Sequence, residues 1–267
     1  MKNKASSSGY TIVELLIVIT VMGVVAVSAI TSIRGQQGKT EFTQGVREFE
    51  NRLNDVADDI SRGYFPDTGS GQVCAASAPG ISFSSGSSTQ GGSSECVLAG
   101  KALAFEPDDI EGGVDLLTVA SRRTTRDDRP VTSLDDLSSG DIRVAPQLSD
   151  SFSLSNGIRV SSIRIGTEEF GAIAFVTGFS NSEQRSGGVR FSGVPQTDLY
   201  AVSGTIVGQL RGATDGALSQ PSNYREVIGT DTLEICLEHG TGGRTALVEF
   251  GKDGRQLTTT TEFDAPC

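Results

Sequence analysis

Residues 10–33 read YTIVELLIVITVMGVVAVSAITSI, an apolar run in which Glu14 is the only charge. Residues 1–9, MKNKASSSG, precede it as a short, polar, basic segment, and Arg34 ends it. A helix of this length spans about 36 Å, enough to cross a hydrocarbon core of roughly 30 Å. A carboxylate inside such a span costs on the order of 3 kcal/mol on insertion scales, so by default it has a function and a partner. An ordinary secretory leader is the rival reading, because Val27-Ser28-Ala29 fits the small-residue rule and would leave Ile30 first. The length of the run and its buried acid both weigh against that rival.

The stretch Gly9-Tyr10-Thr11-Ile12-Val13-Glu14-Leu15-Leu16-Ile17-Val18 resembles the class III leader of type IV prepilins and type II secretion pseudopilins. The resemblance implies cleavage after Gly9 by a membrane aspartyl peptidase and N-methylation of Tyr10. It also implies a role for Glu14 in assembly: the carboxylate neutralises the terminal amine of a neighbouring subunit. An unpaired charge in low dielectric is penalised, so the pair would act as a check on register. Tyr10 stands where the family usually has Phe, and Gly23 fits a glycine common in pilins. Thr31 occupies the place of a frequent proline, which removes the basis for a proline bend in this helix.

Downstream, Gly35 and Gly38 flank Gln36-Gln37, a polar break where the helix is expected to bend or fray. Phe42, Val46, Phe49, Leu53, Val56 and Ile60 then recur at alternating spacings of four and three. That spacing predicts one apolar stripe on an amphipathic helix packed against its own domain. Gly63 and Pro66 mark its expected end.

The rest of the chain is rich in Gly, Ser and Thr, with short apolar runs that suit a loop-rich β domain. Residues 66–94 read as a surface loop closed at its base by a disulfide. Strands are expected at 97–105, 114–121, 157–165, 170–179, 188–191 and 199–210. Three more, at 232–238, 244–250 and 256–263, are separated by Gly-rich connectors and predict an antiparallel meander. This C-terminal pattern resembles the GspH/FimT branch of minor pilins. The expected fold is therefore α+β. A leader (1–9), a transmembrane half-helix (10–33) and an amphipathic half-helix (34–63) precede a globular β-rich domain (64–267).

Cys74, Cys96, Cys236 and Cys267 are widely spaced, and the single histidine makes a zinc site improbable. Behind an export-type N-terminus they read as two disulfides. Three connectivities are open, and Cys74–Cys96 with Cys236–Cys267 is preferred because each closes a local loop.

The formal charge of −11 disfavours general nucleic-acid binding. Arg122, Arg123, Arg126 and Arg129 form the one basic concentration, but Asp127 and Asp128 sit inside it. Asp108, Asp109, Glu111 and Asp115 cluster around two glycines, and a solvated acidic turn is preferred there to a calcium loop. His239 precedes Gly240-Thr241-Gly242-Gly243-Arg244, which lacks the lysine and helix of a phosphate loop. No catalytic residue, metal or cofactor is expected, and the chain reads as a structural subunit rather than an enzyme. The implied partners are other pilin subunits, the prepilin peptidase, an inner-membrane assembly platform and the lipid bilayer. The implied location is a single-pass membrane precursor and then an extracytoplasmic filament. The chain's size favours a minor pilin or pseudopilin, and an exported adhesin or DNA-uptake receptor is the alternative.

Overall fold

The computed structural model describes residues 11–61, 72–77, 80–85, 96–105, 112–122, 124–129, 131, 136–138, 140–145, 149–177, 197–212, 218, 220–227, 231–240, 243–253 and 256–267. Within these elements, the side chains of residues 29–36 and of several strand ends lie outside the described set.

Helix α1 runs from Ile12 to Ser61, 50 residues and roughly 75 Å. It continues unbroken through Gly35 and Gly38, so the expected fraying does not occur there. Glycine lowers helix propensity by about 1 kcal/mol but keeps its backbone N–H, and the ladder of hydrogen bonds survives. Gly63 and Pro66 lie outside the described residues. All six stripe residues from Phe42 to Ile60 are buried, with no more than 3% of any one exposed. Gly45 lies on the same side, where a Cβ would stand 3.0 Å from the Ser155 carbonyl oxygen. The helix can approach that turn closely because Gly45 carries no side chain.

The strands are β1 (Gln72–Ser77), β2 (Gly80–Ser85), β3 (Cys96–Phe105), β4 (Gly113–Arg122), β5 (Ile142–Val144), β6 (Asp150–Ser153) and β7 (Ile158–Ile165). After these come β8 (Glu168–Phe170), β9 (Ala172–Thr177), β10 (Thr197–Val202), the short helix α2 (Val207–Arg211), β11 (Tyr224–Glu226), β12 (Leu233–His239), β13 (Thr245–Asp253) and β14 (Gln256–Phe263). They form a β1–β2 hairpin and two larger sheets. The first has the order β11-β10-β9-β3-β4-β5, with β6 also paired to β4. The second has the order β14-β13-β12-β7-β8 and contains the expected meander β12-β13-β14.

Three expectations need correction. The stretch 66–94 is not simply a loop, because β1 and β2 pair within it from Gln72↔Ser85 to Ser77↔Gly80. Its Ser, Ala and Gly content hides a weak alternation in which Ile81 is buried and Phe83 half-buried. The stretch 170–179 is not one strand. Gly171 divides it, so that β8 pairs with β7 in one sheet and β9 pairs with β3 and β10 in the other. A Cβ at Gly171 would lie 2.6 Å from the Gly204 Cα, so the crossing between sheets needs a glycine. The stretch 199–210 leaves the strand after Val202. There the Ser203 hydroxyl accepts the Thr205 N–H at 3.4 Å and starts the helical turns that lead into α2. The expected strand 188–191 lies outside the described residues, and β5, β6 and β11 are too short to have announced themselves.

The stripe of α1 fills the space between the two sheets. Leu103 and Phe105 of β3, Ile173 and Phe175 of β9, Ile235 and Leu237 of β12, and Val248 and Phe250 of β13 share its core. Edge-to-face rings join the layers: Phe49 meets Phe105 at 6.2 Å, and Phe175 meets Phe250 at 6.4 Å. The first sheet is also apolar on its other face, where Val119, Val144 and Val202 pack with Val131, Leu137 and Leu210. Polar contacts fix the helix in place. The largely buried Lys101 ammonium meets Asp59 at 3.0 Å, Ser155 donates to Glu48 at 2.6 Å, and the Arg52 guanidinium lies 5.2 Å from the Phe152 ring centre. At one end of the sandwich Arg225 of β11 donates to Glu168 of β8 at 2.8 Å and to Asp231 at 3.1 Å. Those hydrogen bonds, Glu168 first, raise the pKa of a guanidinium that is charged in any case.

Cys74–Cys96 ties the hairpin to β3 with Cα atoms 6.0 Å apart, and Cys236–Cys267 ties the C-terminus to β12 at 5.7 Å. Loops of 22 and 31 residues correspond to roughly 3–4 kcal/mol each in the chain-entropy account.

Because Leu53 is fully buried between the sheets, Leu53→Ala is expected to destabilise the domain by about 3 kcal/mol. Arg47→Ala on the exposed side of the helix is expected to cost under about 0.5 kcal/mol. Denaturant unfolding of the two variants measures the contrast.

Candidate assembly site at the start of helix α1

The helix starts at Ile12, with Thr11 immediately before it and Glu14 in its first turn. The Thr11 backbone N–H and the Thr11 hydroxyl each donate to Glu14 Oε2 at 3.2 Å. In return the Glu14 N–H donates to Thr11 Oγ1 at 3.3 Å. These reciprocal bonds form a capping box, which satisfies helix N–H groups that lack partners within the helix. The carboxylate also sits where the helix macrodipole favours negative charge. The T-x-x-E signature is legible in the sequence. Reading Glu14 only as a partner for another chain leaves Thr11 without a role.

Beyond the cap the helix surface is apolar and uncovered. Ile12, Val13, Leu15 to Ile19, Val21, Met22, Val24, Val25 and Val27 are all between 49% and 82% exposed. The hydroxyls within this segment are satisfied locally, Thr20 donating to the Leu16 carbonyl at 2.8 Å and Ser28 to the Val24 carbonyl at 2.9 Å. A hydroxyl bonded in this way can enter an apolar medium without a further partner. Among the described residues no helix is long and apolar enough to cross a membrane. The described apolar part, residues 12–28, spans about 26 Å. Gly9 and Tyr10 lie outside the described residues, so the processing site itself is not seen.

Arg122, Arg126, Arg129 and Asp115, in the other candidate clusters, each have a charged partner. Asp141 is buried and lies 3.6 Å from Arg122 and 3.4 Å from Arg126, and it also accepts the Ser138 N–H at 3.1 Å. Arg129 pairs with Asp127 at 3.2 Å. The three described arginines of the basic cluster are thus each matched by a carboxylate, while Arg123 lies outside the described residues. Nothing in the local sequence points to Asp141 as the buried counter-ion, since it reaches the arginines only through the folded loop.

Of the acidic cluster only Asp115 is described, and it forms an ion pair with Arg211 at 2.5 Å. Asp108, Asp109 and Glu111 lie outside the described residues. Among the described residues no group of three or more histidine, cysteine or acidic side chains is arranged to hold a metal ion. His239 ends β12, its ring edge-on to Phe42 with centroids 5.9 Å apart.

Residues 4–30 match the family model of the prokaryotic N-terminal methylation motif. No curated protein and no solved structure matches the chain. The match covers the leader and the start of α1, the same segment in which the capping box and the exposed apolar surface meet. That match supports a type IV pilin-like prepilin with a class III leader over residues 4–30, and the rest of the chain is matched by nothing.

Proposed function

We propose that this chain is a structural subunit of a type IV pilus or a related pseudopilus, inserted in the membrane through residues 10–33 as a precursor. The prepilin peptidase cuts after Gly9 and methylates Tyr10, and an inner-membrane platform then moves the mature chain into a helical stack. Glu14 guides that step by pairing with the N-terminal ammonium of a neighbouring subunit. The reading is of a structural precursor, with no enzymatic role.

The observation that carries this reading is the contrast along α1. Twelve large apolar side chains between Ile12 and Val27 are exposed, whereas Phe263 is the single exposed large apolar side chain among the described residues of the β domain. Each such side chain left in water forgoes about 1.5–3 kcal/mol. The segment therefore needs lipid before assembly and other helices after it. A contiguous apolar surface of this kind marks an interaction site. The chain's size and its GspH/FimT-like meander support a minor rather than a major subunit. The DNA-receptor alternative loses support because Arg122, Arg126 and Arg129 are already paired.

Intact-mass and N-terminal peptide analysis of protein recovered from cells tests the scheme. The expected mature chain starts at Tyr10 and carries one methyl group on its amine. A chain starting at Ile30 would instead mean ordinary secretion, and a chain still starting at Met1 would remove the processing step.

A further inference from the structure

Two strands share one edge of β4. β5 pairs with it at residues 119–121 and β6 at residues 113–116, so residues 117 and 118 lie opposite a gap between them. The gap is pinned on both sides. The Ala145 N–H donates to the Thr118 carbonyl at 2.8 Å, and the Thr118 N–H donates to Ser149 Oγ at 3.3 Å. Ser149 in turn donates to the Ala145 carbonyl at 3.0 Å. Beside this gap a cleft of about 390 Å³ is lined by Asp115, Leu117, Ser149, Asp150, Ser151 and Arg211. It lies on the face of the sheet away from α1, where Leu117 packs with the outer apolar cluster. Arg211 reaches it from α2 to form the ion pair with Asp115, both side chains remaining partly exposed. Asp150 Oδ1 accepts the Ser151 N–H at 2.8 Å, while Asp150 Oδ2 and the Ser151 hydroxyl make no hydrogen bond among the described residues.

We propose that this cleft binds a neutral sugar, a pyranose presenting two adjacent free hydroxyls. The inference does not depend on the assembly reading of α1. A sugar hydroxyl both donates and accepts, and the Asp115–Arg211 pair offers an acceptor beside a donor, already fixed in place. Asp150 and Ser151 add a second acceptor and a hydroxyl at the rim, and Leu117 supplies an apolar floor for the C–H face of the ring. Other ligand classes fit this lining less well. An anion meets two carboxylates for one guanidinium. A cation meets Arg211, which already neutralises Asp115, and calcium finds only two carboxylates towards the roughly six to eight oxygens it takes. An apolar ligand would leave the polar groups of the cleft without partners.

The test is saturation-transfer NMR on the full chain, in a detergent whose headgroup carries no sugar. The probes are the methyl glycosides of glucose, mannose and galactose. At least one is expected to receive saturation, with a dissociation constant of about 1 mM. Its fully O-methylated form, which keeps the ring and has no hydroxyl, is expected to receive none. Arg211→Lys keeps the charge but loses the planar fork, and is expected to weaken binding about ten-fold. Ser151→Ala, an exposed edge substitution that leaves the fold intact, is expected to weaken it about three-fold. Unfolding of both variants is followed in parallel, and Ser151→Ala decides alone if Arg211→Lys does not fold. No saturation of any of the three glycosides, equal saturation of the O-methylated form, or unchanged affinity in the folded variants would each overturn the proposal.

Discussion

The apolar stripe of α1, from Phe42 to Ile60, is the contact on which the rest of the structure depends. It lies between two antiparallel sheets whose inner faces are lined by Leu103, Phe105, Ile173, Phe175, Ile235, Leu237, Val248 and Phe250. Without the helix those faces would have no common filler, and the sheets would have to collapse onto each other or open to water. The same helix continues in one piece towards Ile12, where its large apolar side chains are exposed. A single rigid element thus serves two environments, and the change from buried to exposed defines where the domain ends and the assembly segment begins.

Much of this division is legible in the sequence. The stripe is read from alternating spacings of three and four, and the exposed segment from an uninterrupted apolar run. The meander shows itself through glycine-rich connectors between β-rich runs. The two disulfides present are the pairings that close the shortest loops. What the sequence hides has physical reasons. The β1–β2 hairpin is built largely of serine, alanine and glycine, which give almost no periodic signal. Gly171 transfers the chain between sheets within one apolar run, and only the tertiary packing against Gly204 reveals it. The run 199–210 looks continuous because Val207 and Leu210 are as apolar as the strand before them, yet they pack on the outer face of the sheet from a short helix. At Glu14 the T-x-x-E spacing of the capping box is legible alongside the apolar surroundings that point to an external partner for the acid.

Electrostatics in the domain are arranged mainly for local pairing. Asp141 is buried between two arginines, Asp59 holds the nearly buried Lys101, and Arg225 joins the two sheets through Glu168 and Asp231. The chain keeps a formal charge of −11, so its surface as a whole repels polyanions. These pairs do more for the placement of loops and edges than for stability, because most of their members remain partly solvated.

A chain comprising residues 37–267, exported so that its disulfides can form, tests the division of α1 most directly. Such a chain retains every residue of the buried stripe and loses the exposed apolar segment. It is predicted to be soluble without detergent, monomeric by sedimentation, and to unfold cooperatively with both disulfides intact, whereas the full chain requires detergent. Aggregation or non-cooperative unfolding of residues 37–267, or a full chain that stays monomeric in plain buffer, would contradict the account.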